Sequence, residues 1–167
     1  MVSNGTAPAW LSVREQQAWR AYLRGSRLLE TVFDRDLQQH GLQLSEYEIL
    51  SMLSERESRR LRMSELADLV VQSRSRLTHT ATRLERRGWV RREPCEGDRR
   101  GVELVLTDDG LDQVARVAPR HVASVRAHLV DRLTPAQLAA LGRAMSSVAE
   151  AIESTGEGRE VGEDARS

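Results

Sequence analysis

The sequence predicts a mainly α-helical fold with one small β-hairpin, and three observations lead there. Apolar residues recur at steps of three and four along most of the chain, the period of a helix face. Only one pair of β-rich runs stands out, Trp89-Val90-Arg91-Arg92 and Val102-Glu103-Leu104-Val105-Leu106. Of 167 residues, 40% are hydrophobic but only 4% aromatic, which favours helices packed through Leu, Val and Ala.

Taken in order, a long first helix is expected from about Ser12 to Gln39. Trp19, Tyr22, Leu23, Ser26, Leu29, Val32 and Phe33 share one of its faces, and His40-Gly41 ends it. Ser45 with Glu48 reads as a capping box opening a second helix that carries Tyr47, Ile49, Leu50 and Leu53. After the charged stretch Arg56 to Arg62, Ser64 reads as the N-cap of a third helix with Leu66, Ala67, Leu69 and Val70 inward. A tight turn leads to a fourth helix from about Ser73 to Arg87, stopped by Gly88. The two β-rich runs flank Pro94 to Gly101, whose Pro and Gly residues suit a hairpin loop. Thr107 caps a fifth helix, with Asp108 and Asp109 in its first turn where the dipole favours anions, and Thr134-Pro135 opens a sixth that ends near Ser154. Both chain ends lack apolar periodicity and read as disordered tails. The expected division is therefore a tail over 1–11, a first dimerisation helix over 12–40, a DNA-binding unit over 41–107, C-terminal dimerisation helices over 108–154 and a tail over 155–167.

The totals narrow the class. The start of the chain lacks the apolar core of a signal peptide, and no run approaches the roughly 20 apolar residues of a membrane span, so a soluble cytoplasmic protein is expected. A single cysteine, Cys95, excludes an internal disulfide framework and offers no thiol cluster for zinc. The net charge of zero hides a segregation of sign. Arg56 to Arg100 holds 13 Arg and 7 acidic residues, net +6, and the remainder is net −6. Every basic residue is Arg, and guanidinium forks suit phosphate and guanine better than ammonium does.

Helix, short turn, longer helix and a basic hairpin is the element order of a winged helix-turn-helix. Periodicity sharpens this. On the fourth helix Leu77, Ala81, Leu84 and Gly88 fall on one side, while Ser75, His79, Thr82 and Arg86 fall opposite with Arg76 and Arg83 beside them. Such a donor-rich strip suits the major groove, where Arg can bond guanine bidentately and Ser, Thr or His can reach phosphates or base edges. The candidate DNA-contacting set is Ser73, Arg74, Ser75, Arg76, Thr78, His79, Thr82, Arg83 and Arg86 from that helix, with Asp98, Arg99 and Arg100 from the wing. Either surface alone could be an ordinary solvated face; both, on adjacent elements in this order, point to double-stranded DNA.

Met63-Ser64-Glu65-Leu66-Ala67, Arg83-Leu84-Glu85-Arg86-Arg87-Gly88-Trp89-Val90, Asp98-Arg99-Arg100 and Leu106-Thr107-Asp108-Asp109-Gly110 resemble the multiple-antibiotic-resistance regulator (MarR) family, and the resemblance runs from about Ala18 to Glu150. It implies an obligate triangular homodimer in which the first, fifth and sixth helices interleave and a winged module occupies each lower corner. Each recognition helix would enter a major groove of a pseudo-palindromic operator, with Arg100, and Arg99 beside it, in the adjacent minor groove and Asp98 orienting them. It further implies repression relieved by a small phenolic or lipophilic ligand or an oxidant.

The residues support a dimer independently: Val114, Val117, Val122, Val125 and Leu129, then Leu138, Leu141, Met145, Val148 and Ile152, make terminal helices apolar enough to need partners. Two identical reading heads then demand half-sites about one turn, roughly 34 Å, apart. Trp19, Tyr22 and Tyr47 are the candidate effector residues, since aromatic rings could stack on a planar ligand. His121 and His128, seven apart, could share a face, but no metal site or cofactor is implied. Cys95 reads as a small turn residue, because the family's oxidant sensors carry their cysteine near the first helix and this chain has none there. No catalytic motif appears, so an enzyme is not expected. An architectural DNA-binding protein without an effector and a protein-contact winged helix are the alternatives. The charged outer strip disfavours the second, and the family resemblance alone favours regulation over the first.

Overall fold

The structure, a computed structural model, describes residues 10–155, with the side chains of Arg99 and Arg100 outside that description. The expected tails fall almost wholly outside it too. Six helices and a three-stranded antiparallel sheet make up the described chain: α1 Val13–Gln38, α2 Leu44–Ser54, β1 Arg60–Arg62, α3 Met63–Leu69, α4 Arg74–Arg86, β2 Val90–Cys95, β3 Asp98–Leu106, α5 Asp108–His128 and α6 Pro135–Thr155, with a short 3-10 turn at Val130–Arg132 before α6. The sheet order is β1-β3-β2.

The long helices start and stop where local chemistry directs. Ser12 caps α1 through a capping box in which its amide donates to Glu15 Oε2 at 2.7 Å and its hydroxyl accepts from the Glu15 amide at 3.3 Å. Gly41, at φ +74°, ends it, and the Leu42 amide turns back to the Leu37 carbonyl at 3.2 Å. Thr107 and Thr134 cap α5 and α6 as their sequence suggests: Thr107 Oγ1 accepts from the Gly110 amide, and Thr134 Oγ1 from the Gln137 amide.

Three local expectations are corrected. The α2 capping pair is Gln43 and Glu46, not Ser45 and Glu48: the Gln43 amide donates to Glu46 Oε2 at 2.9 Å, and Asp34 on α1 takes the Leu44 amide at 2.8 Å, so a tertiary contact starts the helix early. The charged stretch before α3 contains strand β1, paired from Arg60↔Val105 to Arg62↔Glu103, with Leu61 buried between outward arginines. Arg62 is therefore the N-cap of α3, Ser64 lies inside its first turn, and Leu69 is exposed rather than inward. The wing strands are longer than their β-rich runs suggest. Only Glu96-Gly97, with Gly97 at φ +76°, connects Cys95 to Asp98, which places Cys95 and Asp98 to Arg100 in strands. Pro94 is tolerated because β2 is an edge strand and the register breaks there.

The core sits under α2, α3, α4 and the sheet. Ile49, Leu50, Leu53, Leu66, Leu77, Ala81, Leu84 and Leu104 are each fully inaccessible or within 1% of it. The terminal helices contribute unequally. Val114 and Val117 of α5 join this core, whereas α6 has no buried residue, and Val122, Leu141, Met145, Val148 and Ile152 stay exposed. No helix among the described residues is long and apolar enough to cross a membrane.

Candidate nucleic-acid interface

Helix α4 separates its two faces sharply. Leu77, Thr80, Ala81 and Leu84 are buried, while Arg74, Ser75, Arg76, Thr78, His79, Thr82 and Arg86 are exposed. Ser73 is its N-cap, its hydroxyl accepting from the Arg76 amide at 3.2 Å. The hydroxyls of Thr78 and Thr82 donate to carbonyls four residues back, leaving lone pairs outward. The side chains of Arg74, Ser75, His79 and Arg86 make no hydrogen bond or ion pair among the described residues, so their polar groups face water and are available to a ligand. Arg76 lies near Glu48, whose carboxyl burial pushes up and Arg76 partly pulls back.

Arg83 is placed differently from its neighbours on the strip. Its Nε donates to Glu46 Oε1 at 3.1 Å and its NH2 to Gln43 Oε1 at 2.8 Å, so it ties α4 to the start of α2. Glu46 is buried and also faces Arg87 NH1 at 3.6 Å. Arg87 donates to the Gly41 carbonyl at 2.6 Å and lies 4.4 Å over the Trp89 ring. These contacts fix how α4 projects from the core.

The wing is fixed to α4 by Arg92, a residue that sequence reasoning did not single out. Its guanidinium donates to the Thr78 carbonyl and to Thr82 Oγ1, each at 3.0 Å, and pairs with Glu85, whose Oε1 also accepts the Arg92 amide. The signal available was weak: an arginine in a strand, with no periodicity linking it to a helix ten residues earlier. At the other end of the hairpin, Arg62 of β1 pairs with Asp98 at 3.1 Å. Arg99 and Arg100 continue β3 beyond Asp98. Gly101 packs where a side chain could not: a Cβ there would stand 2.7 Å from Cys95 Sγ and 2.9 Å from Asp98 Oδ2. Cys95 is thus a buried strand residue, not a turn residue.

The Leu106-Thr-x-x-Gly110 pattern has an equally local cause. The Thr107 hydroxyl donates to the Gly88 carbonyl at 2.7 Å, and a Cβ on Gly110 would approach the Trp89 carbonyl to 2.1 Å. The C-terminus of α4, the sheet and α5 meet there with no room for a side chain.

The three effector candidates are not brought together. Trp19 and Tyr22 stack on each other, 5.9 Å between centroids, on an exposed face of α1. Tyr47 is buried, its ring 4.5 Å from His121, which also meets Phe33 at 5.5 Å. A cavity of about 360 Å³ opens between α1 and α5, lined by Asp36, Leu37, His40, Arg120, His121 and Ser124 among others and by none of the three aromatics. Burial holds His121 below its ordinary pKa against the pull of Asp36, and its Nδ1 has no hydrogen-bond partner among the described residues. His128 does not join it, bonding Ser124 instead.

A sequence profile of the MarR family matches residues 40–101. AbsC from Streptomyces coelicolor, a MarR family transcriptional regulator, is 49% identical, with a TM-score of 0.83 over 88% of this chain and 99% of that one. Sco3205 from the same organism, solved in complex with DNA, is 47% identical, with a TM-score of 0.84 over 89% of this chain and 93% of that one. The regulator PecS of Dickeya dadantii strain 3937 is 36% identical over 104 residues, which span 62% of this chain and only 63% of PecS. With the buried face of α4, the glycine-sealed junction at Gly110 and near-complete overlap with two of these relatives, the chain belongs to the MarR family of transcriptional regulators.

Proposed function

We propose that this chain is a homodimeric, sequence-specific DNA-binding transcriptional repressor, released from its operator by a small phenolic or lipophilic effector. The observation that carries the reading is the outward strip of α4, Arg74, Ser75, Arg76, His79 and Arg86, set beside a wing whose strand β3 carries Arg99 and Arg100. In this reading α4 enters the major groove and Arg100, with Arg99 beside it, the adjacent minor groove. Ser73, whose hydroxyl hydrogen is not engaged among the described residues, contributes a hydroxyl at the phosphates, Thr78 and Thr82 offer acceptor lone pairs to base amino groups, and Arg83 acts by holding α4 in place. Support comes from Sco3205, a relative at 47% identity whose structure contains DNA.

A second copy covers the exposed apolar residues of α5 and α6, so 12–40 and 108–154 serve dimerisation while 41–107 reads DNA. Two-fold symmetry makes the operator a pseudo-palindrome with half-sites about one helical turn apart. The effector occupies the space between α1, α2 and α5, where Tyr47 and the cavity beside His121 lie, and Trp19 and Tyr22 border it from α1 in the dimer. The test is a selection of bound sequences from random DNA with the purified protein, repeated with a panel of phenolic carboxylates. An enriched palindrome that is lost with one of the phenols supports the reading; binding without any enriched sequence favours an architectural protein.

A further inference from the structure

We propose that Val71 reads the operator, its methyl groups packing on the C5-methyl of a thymine at the leading edge of α4; the proposal rests on the DNA-binding reading above. Val71 stands in the turn between α3 and α4, two residues before Ser73, the N-cap of α4. Its φ is +50°, in the left-handed region. The turn itself asks for that conformation: the Gln72 amide bonds the Ala67 carbonyl at 3.0 Å and the Val71 amide the Asp68 carbonyl at 3.3 Å, closing α3 around one left-handed residue. Glycine or asparagine is the usual occupant of such a position. A β-branched residue is among the worst suited, because its second γ-carbon crowds the backbone.

Burial does not explain the valine either. Val71 is 78% exposed, more than any other large hydrophobic residue of the described chain except Trp10. A strained backbone and an unburied apolar side chain therefore coincide at one position, which neither the turn nor the core requires, and strain of this kind concentrates where function demands a particular side chain. Its surroundings indicate which. After Gln72 come Ser73, Arg74 and Ser75, and the N-terminal end of a recognition helix is the part that reaches base edges. Hydroxyls and guanidinium groups there can take phosphates or polar base atoms. Valine can take neither, and the one apolar group that the major groove displays is the thymine methyl.

The experiment compares the full-length wild type with Val71→Gly and Val71→Asn. Melting temperatures are measured together with dissociation constants for the selected operator and for versions in which each thymidine in turn is replaced by deoxyuridine, which removes a single methyl. Relief of the left-handed strain raises the melting temperature of the glycine or asparagine variant by about 2–4 °C. Wild type loses about fourfold in affinity at one thymine position per half-site, the worth of roughly one buried methyl, and both variants bind the intact operator more weakly and ignore that substitution. Variants that bind as tightly as wild type, a wild type indifferent to every deoxyuridine, or variants that keep the wild-type sensitivity overturn the proposal. Melting temperatures that fall in both variants overturn its premise of strain. A wild type that selects no sequence refutes the sequence-specific reading itself and this proposal with it, a failure visible before any variant is made.

Discussion

Arg92 on strand β2 holds Thr82 on α4 at 3.0 Å, and the same guanidinium reaches the Thr78 carbonyl one turn earlier. The two elements that the proposed reading brings to DNA are thereby set at a fixed angle to each other. A planar fork can make these contacts together with the Glu85 pair; a single ammonium cannot. Arg92→Ala is expected to lose about 1–2 kcal/mol of stability, a fall of about 3–6 °C in melting temperature for a chain of this size. Arg92→Lys keeps the charge, so its salt dependence of DNA binding should match wild type while its affinity falls. An unchanged affinity in Arg92→Lys, measured by fluorescence anisotropy across a salt series, would show that the wing angle does not matter.

The buried Glu46 carboxylate gives a second prediction. It receives Arg83 and faces Arg87, and its other oxygen accepts the Gln43 amide. Glu46→Gln removes the charge and leaves two guanidinium groups without their anion, at a cost of about 1–3 kcal/mol, less than a fully buried pair because Arg83 is partly exposed. Because Arg83 is held by this contact, Arg83→Gln should cost far less in the Glu46→Gln background than in wild type. Additive losses in a double-mutant cycle, read by urea denaturation, would separate the two residues.

The contrast between Arg83 and Arg86 also marks how far the sequence could be read. A period of 3.6 places both near the outer strip and identifies Leu77, Ala81 and Leu84 as inner, and the helix starts at Thr107 and Thr134 are local enough to read directly, while the Ser12 capping box is a local signal that the apolar period alone does not name. Arg83 turned toward α2 because of Glu46, a residue 37 positions away whose burial no periodicity encodes. Strand β1 was hidden for the same reason. Three residues, two of them charged, show no strand pattern until β3 pairs with them. The loop expected over Pro94 to Gly101 is six residues longer than the Glu96-Gly97 turn, because Pro94 and Gly101 mark a register break and a tight approach to Cys95 rather than loop ends.

His121 sets a pH dependence. Burial against Tyr47 and Phe33 lowers its pKa from the ordinary 6.5, with Asp36 opposing in part. The neutral ring is therefore favoured in the folded state, and the unfolded chain takes up its proton first. The stability this group contributes is complete above about pH 6.5 and declines as the pH falls below that value toward the depressed folded pKa. His121→Phe should flatten the decline in melting temperature between pH 7.5 and pH 5.5. Parallel pH profiles for wild type and variant would mean that another group carries it.

Helix α6 supplies the last prediction. Leu141, Met145, Val148 and Ile152 follow one another at steps of four, three and four along a helix with no buried residue, so one face is apolar from end to end and unpaired among the described residues. A patch of this kind marks an interface in a protein that stays dissolved. Val148→Asp, at 51% exposure, perturbs nothing packed inside the subunit, yet in a dimer it places a charge in the apolar seam opposite its own copy or close to it. The variant should retain its helical circular dichroism while its mass by light scattering shifts from dimer toward monomer, and its affinity for a palindromic operator should fall at least tenfold, because the two reading heads no longer bind as one unit. A dimer that survives the substitution with full affinity would place the subunit contact on a different surface from α6.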